Sequence, residues 1–330
     1  MGYPARMRAV VVDHWMEPAD LTVREVADPP CGPGMVRIAV RAAGCNFFDT
    51  LMVRGQYQVK PPFPFTPGAE LAGVVTEVGE GVTGFAIGDR VLASSGLGAF
   101  ADQSVVPAAA CFAMPEGMSF EAGASLPIVY PTSYAALVFR AALRAGETLL
   151  VHAAAGGVGI AAVQIGKALG ARVIGTAGGA EKCEIARRVG ADVAVDYRAA
   201  DWVEQVKAAT GGRGADVIYD SVGGDVTDAS LTCIAWNGRL LVIGFASGRI
   251  PEVKLNRVLL KNISIVGLHW GAHAIHEPAR VAETFAALFR LYREGKIVPV
   301  IFRSYPLDEL PAALEALGSR QSYGKVVVVP

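Results

Sequence analysis

Histidine and cysteine are scarce, five of each in 330 residues. Cys31, Cys45, Cys111, Cys183 and Cys233 form no C-x-x-C pair and are odd in number. The pattern offers no compact structural zinc cluster and fits free thiols in a reducing compartment. An excess of charge of one sign is also missing. The formal net charge is −1, and lysine and arginine build no long run. Nucleic acid is therefore not an expected partner, because phosphate backbones demand clustered positive charge. The N-terminal MGYPARMRAVVV has no apolar region long enough for a signal peptide. The myristoylation position after Gly2 holds Arg6 instead of Ser or Thr. Repeats and low-complexity tracts are absent too. The expectation is a soluble, cytoplasmic protein.

What is present is apolar residue and glycine. Hydrophobic residues make up 52% and glycine numbers 38, which suits an α/β chain with a large core and many tight turns. The length fits two domains. One stretch, Leu149 to Leu169, is apolar enough to suggest a membrane span, which needs ~20 such residues. Gly156, Gly157 and Gly159 cluster near its start, with His152 before them and Gln164 and Lys167 after. Glycine breaks the helix where a span needs continuity, so the membrane reading is weak.

The texture changes along the chain. Residues 7–12, 36–43, 71–78 and 90–93 read as short strands separated by turns such as GEGVTG, which predicts a β-rich, barrel-like first region. The proline-rich KPPFPFTP at 60–67 reads as extended loop. From about residue 148 strands and helices alternate. TLLVH (148–152), ARVIGT (171–176), residues 191–195, ADVIYD (215–220), GRLLVIG (238–244) and ISIVG (263–267) are strands, with helices at 157–169, 180–189 and 202–209. Alternation of this kind implies right-handed βαβ crossovers and a doubly wound parallel sheet, and nearly all-apolar strands imply cover on both faces. A helix at 281–294 and a final strand, KVVVV, close the chain. That strand is expected to return to the first region.

The loop HAAAGGVG then becomes legible. It follows a strand, precedes a helix, and carries Ala154-x-Gly156-x-x-Gly159, a variant of the dinucleotide fingerprint. Gly156 and Gly157 permit close approach of backbone to a diphosphate, helix-start N–H groups face its charge, and Gly159 lets the helix pack near the sheet. The alternative is a plain core turn. An NAD-binding chain of this kind carries an acid at the end of the second strand. Here that place is Thr176-Ala177-Gly178-Gly179, with Lys182 following. The missing acid and nearby cation favour NADP(H), unless Lys182 is only a solvated charge.

AAGCNFFD (42–49), RGQYQVKPPFPFTPGAELAGVV (54–75), GDRV (88–91), HAAAGGVG (152–159), GGRGADVIYDSVGG (211–224), IGFASG (243–248) and YGKVVVV (323–329) together resemble the zinc-independent quinone oxidoreductase branch of the medium-chain dehydrogenase/reductase superfamily. The resemblance spans essentially the whole chain. It implies an α/β protein with a Rossmann domain at 128–272 and a GroES-like catalytic domain at 1–127, completed by 273–330. It implies NADPH as hydride donor to a quinone or enone, with reaction in a cleft between the domains. It points to Asn46, Asp49, Tyr57 and Tyr130 around the acceptor. It carries cofactor binding to Thr132, Ala155, Gly156, Gly157, Val158, Gly178, Lys182 and Tyr197, with Phe245 and Ala246 beside the nicotinamide. It also implies a homodimer through the edge strand near 263–270.

Plainer roles stand beside these. Asp49 caps a helix beginning at Thr50, Tyr57 is loop packing, and Phe245 packs at a sheet end. No metal is expected. Zinc relatives carry a cysteine where this chain has Asn46, a histidine at Ala69 and a cysteine near Ile128, while Glu70 alone makes no site. His273-x-x-His276-Glu277 lacks metalloprotease spacing. Leu51 and Phe47 replace a tyrosine and a proline of many relatives, so the acceptor pocket is expected to be more apolar. The rival functions are a reductase of enones or enoyl thioesters, a non-catalytic NADPH-binding protein, and a zinc alcohol dehydrogenase.

Overall fold

A computed structural model of the protein describes residues 6–330. Residues 1–5, on which the leader and Gly2 readings partly fall, lie outside the described residues. In chain order, Arg6–Val10 (β1) pairs antiparallel with Val23–Ala27 (β2). Met35–Cys45 (β3), Phe47–Val53 (α1), Glu70–Val78 (β4), Arg90–Ser94 (β5), Gln103–Pro107 (β6), Cys111–Ala113 (β7) and Phe120–Ala124 (α2) follow. Then come Val129–Tyr134 (α3), Thr148–Val151 (β8), Gly157–Ala168 (α4), Arg172–Ala177 (β9), Ala180–Arg188 (α5) and Val193–Asp196 (β10). Trp202–Ala209 (α6), Ala215–Asp220 (β11), Asp225–Cys233 (α7), Ile234–Val242 (β12), Leu255–Lys261 (α8) and Ser264–Gly267 (β13) continue the alternation. His273–His276 (α9), Pro278–Arg293 (α10), Ile301–Pro306 (β14), Leu310–Gly318 (α11) and Lys325–Val329 (β15) end it.

Two compact units result. One holds the described residues from Arg6 to Ile128 together with Pro299–Pro330, and the other holds Val129–Val298. The expected second crossing at 273 falls short of Pro299. Helix α10 buries Phe285, Leu288 and Leu291 and packs on α3 inside the second unit. Its period announces a helix, but period alone does not name the partner of the buried face.

The first unit centres on a sheet of order β14-β15-β3-β4-β5-β7, with β6 also on β3. Strand β15 enters between β14 and β3, antiparallel to β3, with Val326 opposite Cys45. Val326, Val327 and Val328 are fully buried. Each such valine stabilises by about 1.5–3 kcal/mol, so this segment is part of the core. Sequence reasoning leaves β2, β6, β7 and β14 unassigned, being short or alternating weakly.

The second unit is an all-parallel sheet of order β10-β9-β8-β11-β12-β13. Chain direction across the sheet reverses between β8 and β11. That reversal is the topological switch point at which doubly wound sheets bind ligands, outside the carboxyl ends of the strands. The fold class is therefore Rossmann-type α/β joined to a β-rich unit. Five cysteines are free. Among the described residues no helix is long and apolar enough to cross a membrane.

Candidate functional site

The glycine loop lies at the switch point of the second unit. Ala153, just past β8, has φ +50°, and its carbonyl accepts Gly156 N–H at 2.8 Å. Gly156 is the N-cap of α4 and no side chain caps this end. Ala155, Gly156, Gly157 and Val158 thus bring backbone to a helix start that suits an anion. The role expected of Gly159 is corrected here. A Cβ at Gly159 would fall on the Ala153 carbonyl, so this glycine seats the loop on its own helix. Close approach to the sheet is made by Gly166, where a Cβ would lie 2.5 Å from Leu149 Cδ2.

Beneath the loop His152 is buried, with Nδ1 2.9 Å from Thr176 Oγ1 and Nε2 2.7 Å from Ser230 Oγ. The Ser230 hydroxyl donates to the Val226 carbonyl at 2.6 Å. Ser230 therefore accepts from Nε2–H, and Nδ1 accepts from Thr176. Burial pushes the His152 pKa down to about 4 against the opposing charge of Asp220, which keeps the ring neutral. It ties β8, β9 and α7 together under the loop.

At the end of β9, two glycines are roofed by the residues that follow β10. A Cβ on Gly178 would lie 2.8 Å from the Tyr197 hydroxyl, and one on Gly179 would strike the Arg198 guanidinium. Tyr197 is exposed. Asp196 Oδ2 accepts from Arg198 Nη2 at 2.8 Å and Oδ1 accepts from Nε at 3.1 Å. The Arg198 guanidinium and backbone N–H hold the Asp196 carboxyl well below its usual range. Lys182 stands half-exposed on the first turn of α5, which begins after the N-cap Gly179. Sequence reasoning misses Arg198 and Asp196. The signal is faint: a cation directly after Tyr197, just past a short strand.

The β11 and β12 ends are laced together. Asp220 accepts from the amides of Val222 and Gly223 and from Thr227 Oγ1. Ala246 N–H donates to the Ser221 carbonyl at 3.1 Å, and Phe245 lies exposed against Gly223. Thr132 is half-buried in α3. Tyr130, also in α3, is only 2% exposed, and its hydroxyl donates to Gln164 Oε1 at 2.8 Å. Gln164 in turn clasps the backbone of Val298. Burial drives the Tyr130 pKa up. The Tyr130 hydroxyl thus braces α3 against α4.

The other expected residues gather in the first unit. Helix α1 begins at Phe47, not Thr50, with Asn46 as its N-cap. Asp49 sits one turn in, and its Oδ2 accepts Asn46 N–H at 2.7 Å. Its capping role is real but directed backward. Asp49 is fully buried, and Oδ1 has no partner. Burial raises its pKa to about 7, opposed by the Asn46 amide and Lys325 and aided by Glu70. Tyr57 stacks on Phe48 at 5.3 Å. Its pKa is raised, by burial first and then by Asp49.

Asn46 is 7% exposed, and both ends of its amide are held by charge. Nδ2 donates to Glu70 Oε1 at 2.8 Å, and Oδ1 accepts from Lys325 Nζ at 2.9 Å. Lys325 also donates to Glu70 Oε1 at 2.6 Å and to the Cys45 carbonyl at 2.7 Å. Glu70 Oε2 accepts Ile128 N–H at 2.9 Å. Gly44 makes room: a Cβ there would lie 2.6 Å from Glu70 Oε1. Lys325 escapes sequence reasoning, although a lysine opening a run of four valines, three of them buried, is itself a signal.

Comparison with known proteins agrees with both units. Residues 32–116 match the alcohol dehydrogenase GroES-like domain, and residues 157–289 match the family described as zinc-binding dehydrogenase. A quinone oxidoreductase-like protein 2 homolog of Nematostella vectensis is 43% identical over 300 residues, covering 90% of this chain and 82% of its own. The chain belongs to the quinone oxidoreductase branch of the medium-chain dehydrogenase/reductase superfamily. It is an oxidoreductase of that superfamily. The Escherichia coli quinone oxidoreductase, solved in complex with NADPH, is 32% identical with TM-score 0.89, over 98% of this chain and 99% of that one. A mycobacterial protein, also solved with NADPH, is 34% identical with TM-score 0.92, over 98% of this chain and 100% of that one.

One matching family bears zinc in its description, but the donor set of this oxidoreductase lacks what zinc needs. The places expected to ligate hold Asn46, Ala69 and Ile128, which offer neither thiolate nor imidazole. The one carboxylate, Glu70, is already paired with the Lys325 ammonium. The residues do not fit a zinc ion. His273 instead stacks on Trp270 and lies 3.4 Å from Glu277.

Proposed function

We propose that the protein is an NADPH-dependent oxidoreductase that delivers hydride to a quinone-type acceptor without zinc. The observation that carries this reading is the end of β9, where Gly178 and Gly179 lie under Tyr197 and Arg198. Asp196, the carboxylate that ends β10, is engaged by Arg198 and is not free to grip a ribose hydroxyl. A planar guanidinium beside an exposed tyrosine, with Lys182 on the first turn of α5, suits a 2′-phosphate. The amides of the α4 start suit the diphosphate. The glycine loop and these two cations fit NADPH, which when bound supplies hydride from its nicotinamide ring.

On the acceptor side, a quinone needs little acid catalysis, but charge builds on its oxygen as hydride arrives. The Asn46 amide and the Tyr57 hydroxyl are the donors assigned to that charge. A second reading, reduction of an enone, has one observation in its favour. Asp49 is a buried carboxyl with a free oxygen and a pKa near neutral, suited to holding the proton that an enolate must receive. The test is a screen of benzoquinone, a larger polycyclic quinone, an enone and crotonyl-CoA, with NADPH and NADH oxidation followed in parallel. Quinone turnover with NADPH preferred is the expected result. Turnover confined to the enone or thioester would transfer the assignment to the second reading.

A further inference from the structure

We propose that Lys325 is a positioning residue: paired with Glu70, it locks the Asn46 amide so that Asn46 meets the acceptor as a hydrogen-bond donor. This rests on the reading that Asn46 donates to the acceptor oxygen.

An asparagine amide is nearly symmetric in shape but opposite in polarity at its two ends. Turned over, Asn46 would place its oxygen against the Glu70 carboxylate and its NH₂ against the Lys325 ammonium. Both contacts would be repulsive. In the arrangement present, Lys325 Nζ donates to Oδ1 at 2.9 Å and Nδ2 donates to Glu70 Oε1 at 2.8 Å. The amide has two N–H bonds, and Glu70 takes one. The other has no partner among the described residues and is the donor left for a ligand. An ammonium on the amide oxygen also polarises the group and strengthens that remaining N–H.

The lysine has no freedom to do otherwise. Its three N–H bonds go to Cys45 O, Asn46 Oδ1 and Glu70 Oε1, and it is 4% exposed. Taking a charge so far from water is costly unless every bond is made. For stability alone, a hydrophobic pair would serve as well. What the ion pair adds is direction: a fixed positive charge on one side of the amide and a fixed negative charge on the other. The chain thus supplies its own cation beside the residue that stands where zinc relatives carry a metal ligand.

The experiment is a double-mutant cycle between Asn46→Ala and the charge-removing pair Lys325→Met with Glu70→Gln. Both charges are removed together so that neither is left buried alone. With NADPH saturating, Asn46→Ala is expected to lower kcat for the quinone by ~100-fold, the scale of one donor to developing charge. The paired variant should lower it by ~10–100-fold. Added to Asn46→Ala, the paired variant should lower it no further, because its effect passes through the amide. A second readout needs no turnover. In the free protein, the Asn46 side-chain ¹⁵N–¹H₂ signals, assigned by their loss in Asn46→Ala, should show two widely split protons that converge in the paired variant. Losses that multiply, or proton shifts that do not move, would overturn the role of Lys325 and leave that of Asn46 standing. An unchanged kcat in Asn46→Ala would instead remove the underlying reading.

Discussion

At the scale of single residues, two buried groups titrate in opposite senses. Asp49 has its folded-state pKa raised to about 7 by burial, far above the unfolded value near 3.9. The folded protein therefore holds a proton that the unfolded chain has released between about pH 4 and 7. Stability from this group is full below that window and is lost as pH rises through it. Asp49→Asn removes the titration, and thermal unfolding should find it more stable than the parent at pH 8, by on the order of a few kcal/mol. At pH 4 the difference should vanish. His152 works the other way. Its folded pKa lies at about 4, so stability is lost as pH falls from about 6.5 toward 4. His152→Gln should flatten that acid limb. A limb of unchanged slope in either variant would contradict the burial argument. Cofactor choice is also a residue-scale matter. Lys182→Ala and Arg198→Ala should each weaken NADPH by ~10–100-fold, the worth of a charge-assisted hydrogen bond, while NADH changes little. Titration of 2′,5′-ADP against 5′-AMP by calorimetry checks this, and equal losses for both would place the phosphate elsewhere.

At the scale of elements, the glycine loop and helix α4 carry a prediction with an internal control. Gly159→Ala drives a methyl into the Ala153 carbonyl, a backbone atom that cannot move without undoing the loop. Gly166→Ala meets the tip of Leu149, which has rotamers to spare. Gly159→Ala should abolish measurable 2′,5′-ADP binding, whereas Gly166→Ala should lower the melting temperature and leave binding within about threefold, as expected for a change of packing alone. Most of the second unit is legible beforehand, because continuous apolar strands and helical period repeat through it without interruption. The loop itself is legible from its glycines. Its neighbours at the β9 end are less so, because Arg198 reaches them from the next strand and period says nothing about side chains meeting across strands. The first unit yields fewer elements to inspection. Strands such as Cys111–Ala113 are too short to show alternation. The cluster around Asn46 is assembled by pairing Val326 with Cys45, a long-range register that no local pattern encodes. Asn46, Asp49 and Tyr57 are found through resemblance. Lys325 is found only through coordinates.

At the scale of the whole molecule, the outer edge of the parallel sheet is the surface that remains to be explained. Strand β13 is an edge strand, and Ile265 on it is exposed. Helix α8 beside it presents Leu255, Leu259 and Leu260, each more than two-thirds exposed at 77%, 78% and 71%. Apolar side chains beside the free edge of a sheet mark an interaction surface. A second copy is the proposed occupant, since two identical edges pair with twofold symmetry. Light scattering after size exclusion should give twice the chain mass, and Leu259→Glu with Ile265→Asp should halve it. A monomeric parent would remove the proposal.

The long reach of β15 has a consequence for synthesis. Glu70 and Lys325 are 255 positions apart. At ~5–20 residues per second, the carboxylate emerges from the ribosome roughly 10–50 s before its counter-ion exists. Throughout that interval the Rossmann half is free to fold, while the leading β-rich half lacks both the strand that fills its sheet and the charge that neutralises its interior. The nascent chain therefore carries an unfinished sheet with an open seam, and a chaperone that recognises exposed strand edges would meet it there.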